Sequence, residues 1–241
     1  MGSVVLCSPE AKSYLEARGR SELELKAIEE TGKQTVWLDY DQRGLRVALD
    51  DLDLRVNYVS GPIAERVRRA NRSKELIYKA VGKVDGLVLD GTAGLGRESL
   101  LLQRLGYNVC AFEKNPYVYT LISNALGELF EHKSIVAAKQ KLKIHFGCFS
   151  EFNRLGLDNL ELIYLDPMFP DRTKKAKVKK EMQVFHRLCG TNDEAALMID
   201  MAYGLKPKKI VVKRPKTSEI LLPKLKPKLY GNDSLRFEVY S

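Results

Sequence analysis

The chain is poor in the residues that build metal centres and disulfide frameworks. It has four cysteines in 241 residues, Cys7, Cys110, Cys148 and Cys189, and no two form a C-x-x-C pair. That spacing excludes the common zinc-ligand patterns and suits a reducing compartment. Cys110 and Cys148 sit in apolar, strand-like surroundings and read as buried thiols. The three histidines, His132, His145 and His186, are scattered and read as surface or packing residues. No metal is expected. No apolar run approaches the length needed to span a bilayer. The N-terminus lacks the basic-then-apolar layout of a signal peptide. The expectation is a soluble, cytoplasmic protein with no membrane partner. No internal repeat or low-complexity tract interrupts the chain, and nothing in it sets an oligomeric state.

Positive charge, by contrast, is plentiful. Forty Lys and Arg against 31 Asp and Glu give a formal charge of +9 and a pI near 9.3. Such an excess argues for a polyanionic partner, of which nucleic acid is the usual one. An apolar content of 44% is ordinary for a folded protein and argues against disorder. The length fits one large α/β domain with a small extension.

The extension is residues 1–70, a small α+β unit. Val4 to Cys7 and Thr35 to Leu38 read as strands, and Ser8-Pro9-Glu10 as a helix start. Leu45 to Leu49 and Leu52 to Val56 alternate apolar with polar, as half-exposed antiparallel strands do. From Ser73 the rhythm changes, and residues 71–241 form the second unit. Leu76, Ile77, Ala80 and Val81 share a helical stripe. Apolar strands then alternate with helices: Leu87–Asp90, Asn108–Phe112, Leu142–Phe146, Leu160–Leu165 and Ile210–Lys213 are the strands. Glu98–Leu105 and Pro116–Phe130 are the helices, the second opening on a proline suited to a first turn. This alternation predicts an α/β fold with a mostly parallel, twisted sheet covered on both faces. Ligands bind such sheets at the carboxyl ends of the strands, where strand order reverses.

The chemistry-bearing residues fall at those ends. Asp90-Gly91-Thr92-Ala93-Gly94-Leu95-Gly96 follows one strand and opens a helix. Gly94 and Gly96 permit a tight turn and close approach of backbone to a ligand. The third glycine of a dinucleotide fingerprint is missing, because Ser99 stands in its place. Glu113 ends the next strand, about 20 residues on, where a carboxylate can take both hydroxyl protons of a ribose. Ile163-Tyr164-Leu165-Asp166-Pro167-Met168-Phe169-Pro170 ends the fourth strand. Its Asp166 carboxylate and Pro167 carbonyl are candidate acceptors for the N–H groups of an exocyclic base amine. That amine is a poor nucleophile because its lone pair is delocalised into the ring. Preorganised acceptors favour a pyramidal nitrogen and stabilise the positive charge that develops on it. Phe169 offers a face on which a base can stack.

Two basic clusters flank these motifs. Arg66, Arg68, Arg69 and Arg72 form the first. Arg172, Lys174, Lys175, Lys177, Lys179 and Lys180 form the second, directly after the Asp166 loop. Both suit phosphate contacts that position RNA. Lys213-Arg214-Pro215 ends another strand and borders the same region. Lys224, Lys226 and Lys228 read as a solvated loop.

The glycine turn resembles the first motif of class I methyltransferases. The Asp166 segment is similar to the (Asp/Asn)-Pro-Pro-(Tyr/Phe) motif of enzymes that methylate base amines, with Met168 in place of the second proline. Ala93 to Arg97, Tyr164 to Pro170, Val178 to Phe185 and Val211 to Pro215 together resemble the small-subunit ribosomal RNA guanine-N2 methyltransferase J family, from about Arg55 onward. The resemblance implies a class I Rossmann-like methyltransferase that uses S-adenosylmethionine. Its implied target is the exocyclic N2 of a guanine near the 3′ end of 16S rRNA, free or in the small ribosomal subunit. It places cofactor contacts on Arg97, Glu98, Glu113, Lys114, Cys148, Phe149 and Asp166, beside Asp90, Gly94 and Gly96 of the turn. It makes Asp166, Pro167, Met168 and Phe169 the reaction loop. Two alternatives stay open: methylation of adenine N6 or cytosine N4, and a noncatalytic RNA-binding protein on the same fold.

Overall fold

In the computed structural model, the described residues are 4–19, 24–27, 36–49, 51–132, 142–167, 180–189 and 195–241. Two sheets organise them. The first is built from β1 (Val4–Cys7), β2 (Glu24–Ala27), β3 (Val36–Asp41), β4 (Gly44–Leu49) and β5 (Leu52–Leu54), in the order β2-β1-β3-β4-β5. β3, β4 and β5 pair antiparallel, as their alternating pattern predicts, while β1 runs parallel to β2 and β3. α1 (Pro9–Ala17) starts where expected. Ser8 Oγ accepts the Ala11 N–H at 3.2 Å and Pro9 fills the first turn.

The second sheet holds β6 (Leu87–Asp90), β7 (Asn108–Glu113), β8 (Leu142–Phe146), β9 (Leu160–Leu165), β10 (Lys209–Pro215), β11 (Lys228–Gly231) and β12 (Leu235–Tyr240). Its order is β11-β12-β10-β9-β6-β7-β8. β8, β7, β6, β9 and β10 are mutually parallel. β12 enters antiparallel beside β10, and β11 pairs antiparallel with β12. The chain steps outward from β6 to β8 and then returns to the other side of β6 with β9. The order therefore reverses between β6 and β9, and the clefts for ligands open there. The β11–β12 hairpin corrects the reading of the tail. Lys224, Lys226 and Lys228 are exposed as expected, but Lys228 begins a strand, and β12 buries Phe237 and Val239.

Core packing follows the two-residue period of the strands. Leu87, Leu89, Phe112, Ile163, Leu165, Ile210 and Val212 pack on one face. Val88, Val109, Ala111, Leu162, Tyr164 and Val211 pack on the other, in a cluster continuous with Val5, Leu38, Val47 and Leu54 of the first sheet. The N-terminal sheet thus shares the main core. It docks on α5 (Pro116–Glu131), which Asn115 caps through Oδ1 to the Tyr117 and Val118 N–H groups. Tyr117 Oη accepts the Leu6 N–H at 3.3 Å and donates to the Val36 carbonyl at 3.0 Å, tying β1 and β3 to that helix. The other α-helices among the described residues are α2 (Gly61–Arg69), α3 (Leu76–Val81), α4 (Arg97–Arg104), α6 (Lys180–Cys189) and α7 (Ala195–Gly204).

Candidate functional site

Three acidic residues stand at strand ends around the point where the strand order turns back. Asp90, the last residue of β6, is fully buried. Its Oδ2 accepts from Ser99 Oγ at 2.5 Å and its Oδ1 from the Thr92 N–H at 3.0 Å. Burial pushes this carboxyl up to about 7, against both hydrogen bonds. Glu113, the last residue of β7, is 6% exposed. Its Oε2 takes the Gly94 N–H at 2.9 Å and its Oε1 the Asn115 N–H at 2.7 Å, and burial raises it to about 7 as well. Asp166 follows β9 directly. Its own N–H donates to Thr92 Oγ1 at 2.7 Å, joining the β9 loop to the glycine turn across the switch point. Its Oδ2 lies 2.7 Å from Lys213 Nζ, and the same ammonium is 3.1 Å from Glu98 Oε1. Burial raises Asp166 to about 6; Lys213 opposes the rise and Glu98 adds to it.

The turn between β6 and α4 leaves no space for a side chain at Gly91 or Gly96. A Cβ on Gly91 would stand 2.7 Å from Leu165 Cδ2 and 2.8 Å from the Phe149 ring. Gly96 has φ +67°, and a Cβ there would run into the Tyr58 hydroxyl, which donates to the Leu95 carbonyl at 2.9 Å. Tyr58 is 3% exposed and belongs to the segment before α2. Neither Tyr58 nor Thr92 is conspicuous in the sequence, because both act through partners far along the chain. Ser99 leaves a trace: it stands where a dinucleotide site would have glycine, and its hydroxyl turns back to Asp90.

The structure separates the other expected site residues. Arg97 Nε is buried with no hydrogen-bond partner among the described residues. Glu98 faces Lys213, and Lys114 is exposed. Cys148 is half-buried rather than the buried thiol the sequence suggests, whereas Cys110 is buried at 2% exposure. Phe149 is a core residue whose ring packs beneath Gly91. Pro167 is buried. Met168 and Phe169 lie outside the described residues, as do Arg172, Lys174, Lys175, Lys177 and Lys179.

The arginine cluster is split in the same way. Arg68 and Arg69 are exposed on α2 and pair with Glu65 at 3.1 and 2.5 Å. Arg66 is half-exposed, 3.6 Å from Glu75 and 3.9 Å from Glu98. Arg72 donates to the Leu105 carbonyl at 2.8 Å and lies over the Tyr78 ring. Arg214 departs from the expectation of an RNA contact. It is 7% exposed and turned inward, toward Ser218 Oγ and the Glu219 carbonyl, each at 3.3 Å. Lys213 departs too, because its ammonium is committed to two carboxylates.

The raised carboxyls carry a stability signature. Asp90, Glu113 and Asp166 hold protons in the folded chain that the unfolded chain has released. Their contribution to stability therefore falls as pH rises from the ordinary carboxylate range of about 4 toward 7. The ligand-free protein is expected to lose melting temperature between about pH 5 and 7, with a shallower slope in Asp90→Asn. Thermal melts across that window check this; a melting temperature that rises through it contradicts the buried cluster.

Known proteins share this architecture. The family model described as "Putative SAM-dependent methyltransferase" matches residues 19–241. A ribosomal RNA small subunit methyltransferase J from Neisseria gonorrhoeae is 35% identical over 206 residues, covering 84% of this chain and 82% of that one. Its counterpart from Hahella chejuensis is 37% identical over 190 residues, covering 77% and 71%. The crystal structure of a SAM-dependent methyltransferase from Neisseria gonorrhoeae superposes with a TM-score of 0.75 at 28% identity, over 99% of this chain and 95% of that one. Strand order, glycine turn and strand-end acids define a class I S-adenosylmethionine-dependent methyltransferase. The chain belongs to the ribosomal RNA small subunit methyltransferase J family.

The residues present fit that cofactor. Its ammonium and ribose hydroxyls are donors that the buried carboxyl oxygens of Asp90 and Glu113 can accept. The unpartnered Arg97 Nε is a donor left for a ligand acceptor. The crowding around Gly91 and Gly96 keeps side chains out of the cradle. Among the described residues, no helix is long and apolar enough to cross a membrane, and no group of three His, Cys, Asp or Glu is placed to hold a metal ion.

Proposed function

We propose that the protein transfers a methyl group from S-adenosylmethionine to the exocyclic N2 of a guanine near the 3′ end of 16S ribosomal RNA. The observation that carries this reading is the Asp166 carboxylate. It is fixed at the end of β9 across from the glycine turn, in a chain whose relatives are named for the small-subunit ribosomal RNA.

When bound, S-adenosylmethionine supplies a methyl carbon on a sulfonium, open to direct displacement. Glu113 holds the ribose hydroxyls, and Asp90, Gly94, Gly96 and Arg97 shape the bed of the methionine part. Glu98, Lys114, Cys148 and Phe149 border the same bed, Phe149 by backing the turn from below. Asp166 and the Pro167 carbonyl accept the N–H groups of the target amine, drawing the lone pair out of the ring and stabilising charge on the nitrogen. Thr92 fixes the Asp166 backbone for that task. Phe169 stacks the base, and a base in helical RNA is first turned out of its stack. Arg66, Arg68 and Arg69 on α2 take backbone phosphates, together with Lys174, Lys175 and Lys179. The described residues among the first 70 brace α5 through β1 and β3 and, through Tyr58, close over the cofactor turn.

The test is methylation of small ribosomal subunits from a strain lacking this gene, followed by nucleoside mapping, with S-adenosylmethionine affinity measured by calorimetry. N2-methylguanosine in the 3′ region of 16S RNA is the expected product. Methyl on adenine N6 or cytosine N4 would replace the guanine assignment, and no cofactor binding would leave a noncatalytic RNA-binding protein.

A further inference from the structure

We propose that Lys213 is a positioning residue for methyl transfer, pinned between Asp166 and Glu98 so that the Asp166 carboxylate stays charged and aimed at the target amine, rather than a contact for RNA phosphate. The inference rests on the reading of Asp166 as the amine acceptor. Its first support is register. Val212 of β10 pairs with Leu165 of β9, so Lys213 emerges beside Asp166, where the parallel strands end. Its second support is contact. The ammonium lies 2.7 Å from Asp166 Oδ2 and 3.1 Å from Glu98 Oε1, and 24% of the side chain is exposed. It lines a pocket of about 250 Å³ with Arg66, Lys74, Glu98 and Asn232.

The charges around Asp166 explain why the lysine is needed. Asp90 on β6 and Glu98 on α4 are both acidic. Arg66 on α2 stands behind Glu98 at 3.9 Å, already shared with Glu75. The Tyr164 hydroxyl, two residues before Asp166 in the chain, is buried and unpartnered among the described residues. Lys213 is therefore the cation in direct contact with Asp166 among those residues. Without it, burial and the neighbouring Glu98 carboxylate favour the protonated acid. A protonated carboxyl gives up acceptor capacity and presents a donor to the amine. Against the burial of its ammonium, Asp166 and Glu98 in turn hold Lys213 charged at higher pH than an ordinary lysine.

The experiment compares wild type, Lys213→Met and Lys213→Arg by kcat and RNA KM across pH, with melting temperature and cofactor affinity measured alongside. The expected Lys213→Met enzyme folds, binds cofactor and keeps its RNA KM within about threefold. Its kcat at neutral pH falls about tenfold or more, and the acidic limb of its kcat profile moves up by about one pH unit. Lys213→Arg restores most of the rate and the position of the limb. A Lys213→Met loss confined to RNA KM, with the acidic limb unmoved, would mark a phosphate contact and overturn the proposal. So would a full rate at all pH values. Asp166→Ala separates the two layers. If it is fully active, the acceptor reading itself fails. If it is inactive while the Lys213→Met limb stays in place, only the positioning role fails. Should Lys213→Met not fold, Lys213→Arg and Lys213→Gln carry the same pH comparison.

Discussion

Asp166→Ala is expected to lower methyl transfer by about a hundredfold to a thousandfold while cofactor affinity stays within a few-fold of wild type. The direction follows from where the carboxylate stands. It ends β9 at the switch point, and its acceptor oxygens are available only there. The backbone survives the substitution, because the Asp166 N–H, not the side chain, makes the 2.7 Å bond to Thr92 Oγ1. Lys213 also keeps a partner in Glu98. The cost therefore falls on the step in which the amine develops charge, and appears in kcat more than in RNA KM. Asp166→Asn makes the useful comparison. It keeps one acceptor oxygen and loses the charge, so it is expected to retain more activity than alanine. Single-turnover methyl transfer with saturating cofactor measures both variants. An Asp166→Ala enzyme running at wild-type rate would remove this residue from the reaction.

The second large effect is expected from Gly96→Ala, a change of one methyl group outside the reaction loop. Gly96 sits at φ +67°, where an L side chain costs about 1–2 kcal/mol. Its new Cβ also meets the Tyr58 hydroxyl, so the tyrosine must give up its 2.9 Å bond to the Leu95 carbonyl. Breaking a buried hydrogen bond of this kind costs a further 1–3 kcal/mol or so. The sum corresponds to a melting temperature lower by roughly 5–15 °C for a chain of this size. Cofactor affinity is expected to fall at least about tenfold, because the turn that shapes the bed is the turn that moves. Tyr58→Phe added to Gly96→Ala removes the colliding oxygen and is expected to recover part of the stability. Calorimetry and thermal melts of the three variants test this. A Gly96→Ala protein with wild-type affinity and melting temperature would show that the turn does not close on Tyr58.

The amino-acid sequence by itself determined whatever depends on short-range order. The strand–helix rhythm from Leu76 onward is carried by periods of two and 3.6 residues and predicts the parallel sheet, while proline at first turns marks the starts of α1 and α5. The glycine turn, Glu113 and the Asp166 loop are contiguous with their strands, so their arrival at the carboxyl ends follows from local pattern alone. Resemblance in the same segments pointed to the family. What the tertiary structure decided is separated in the chain. Lys213 and Asp166 are 47 residues apart, Lys213 and Glu98 are 115 apart, and Tyr58 reaches Leu95 across 37. A basic residue in the sequence reads equally as a phosphate contact or an internal ion pair. Only the register of β10 against β9 turned Lys213 toward two carboxylates, and only burial turned Arg214 inward. The β11–β12 hairpin escaped the sequence because its strands are short, and its exposed lysines resemble a solvated loop until β10 supplies an edge to pair with. Charge and hydrophobic pattern state what each residue can do. Which of those capacities is used depends on desolvation and on the neighbour across the strand, and both come into being when the sheet closes.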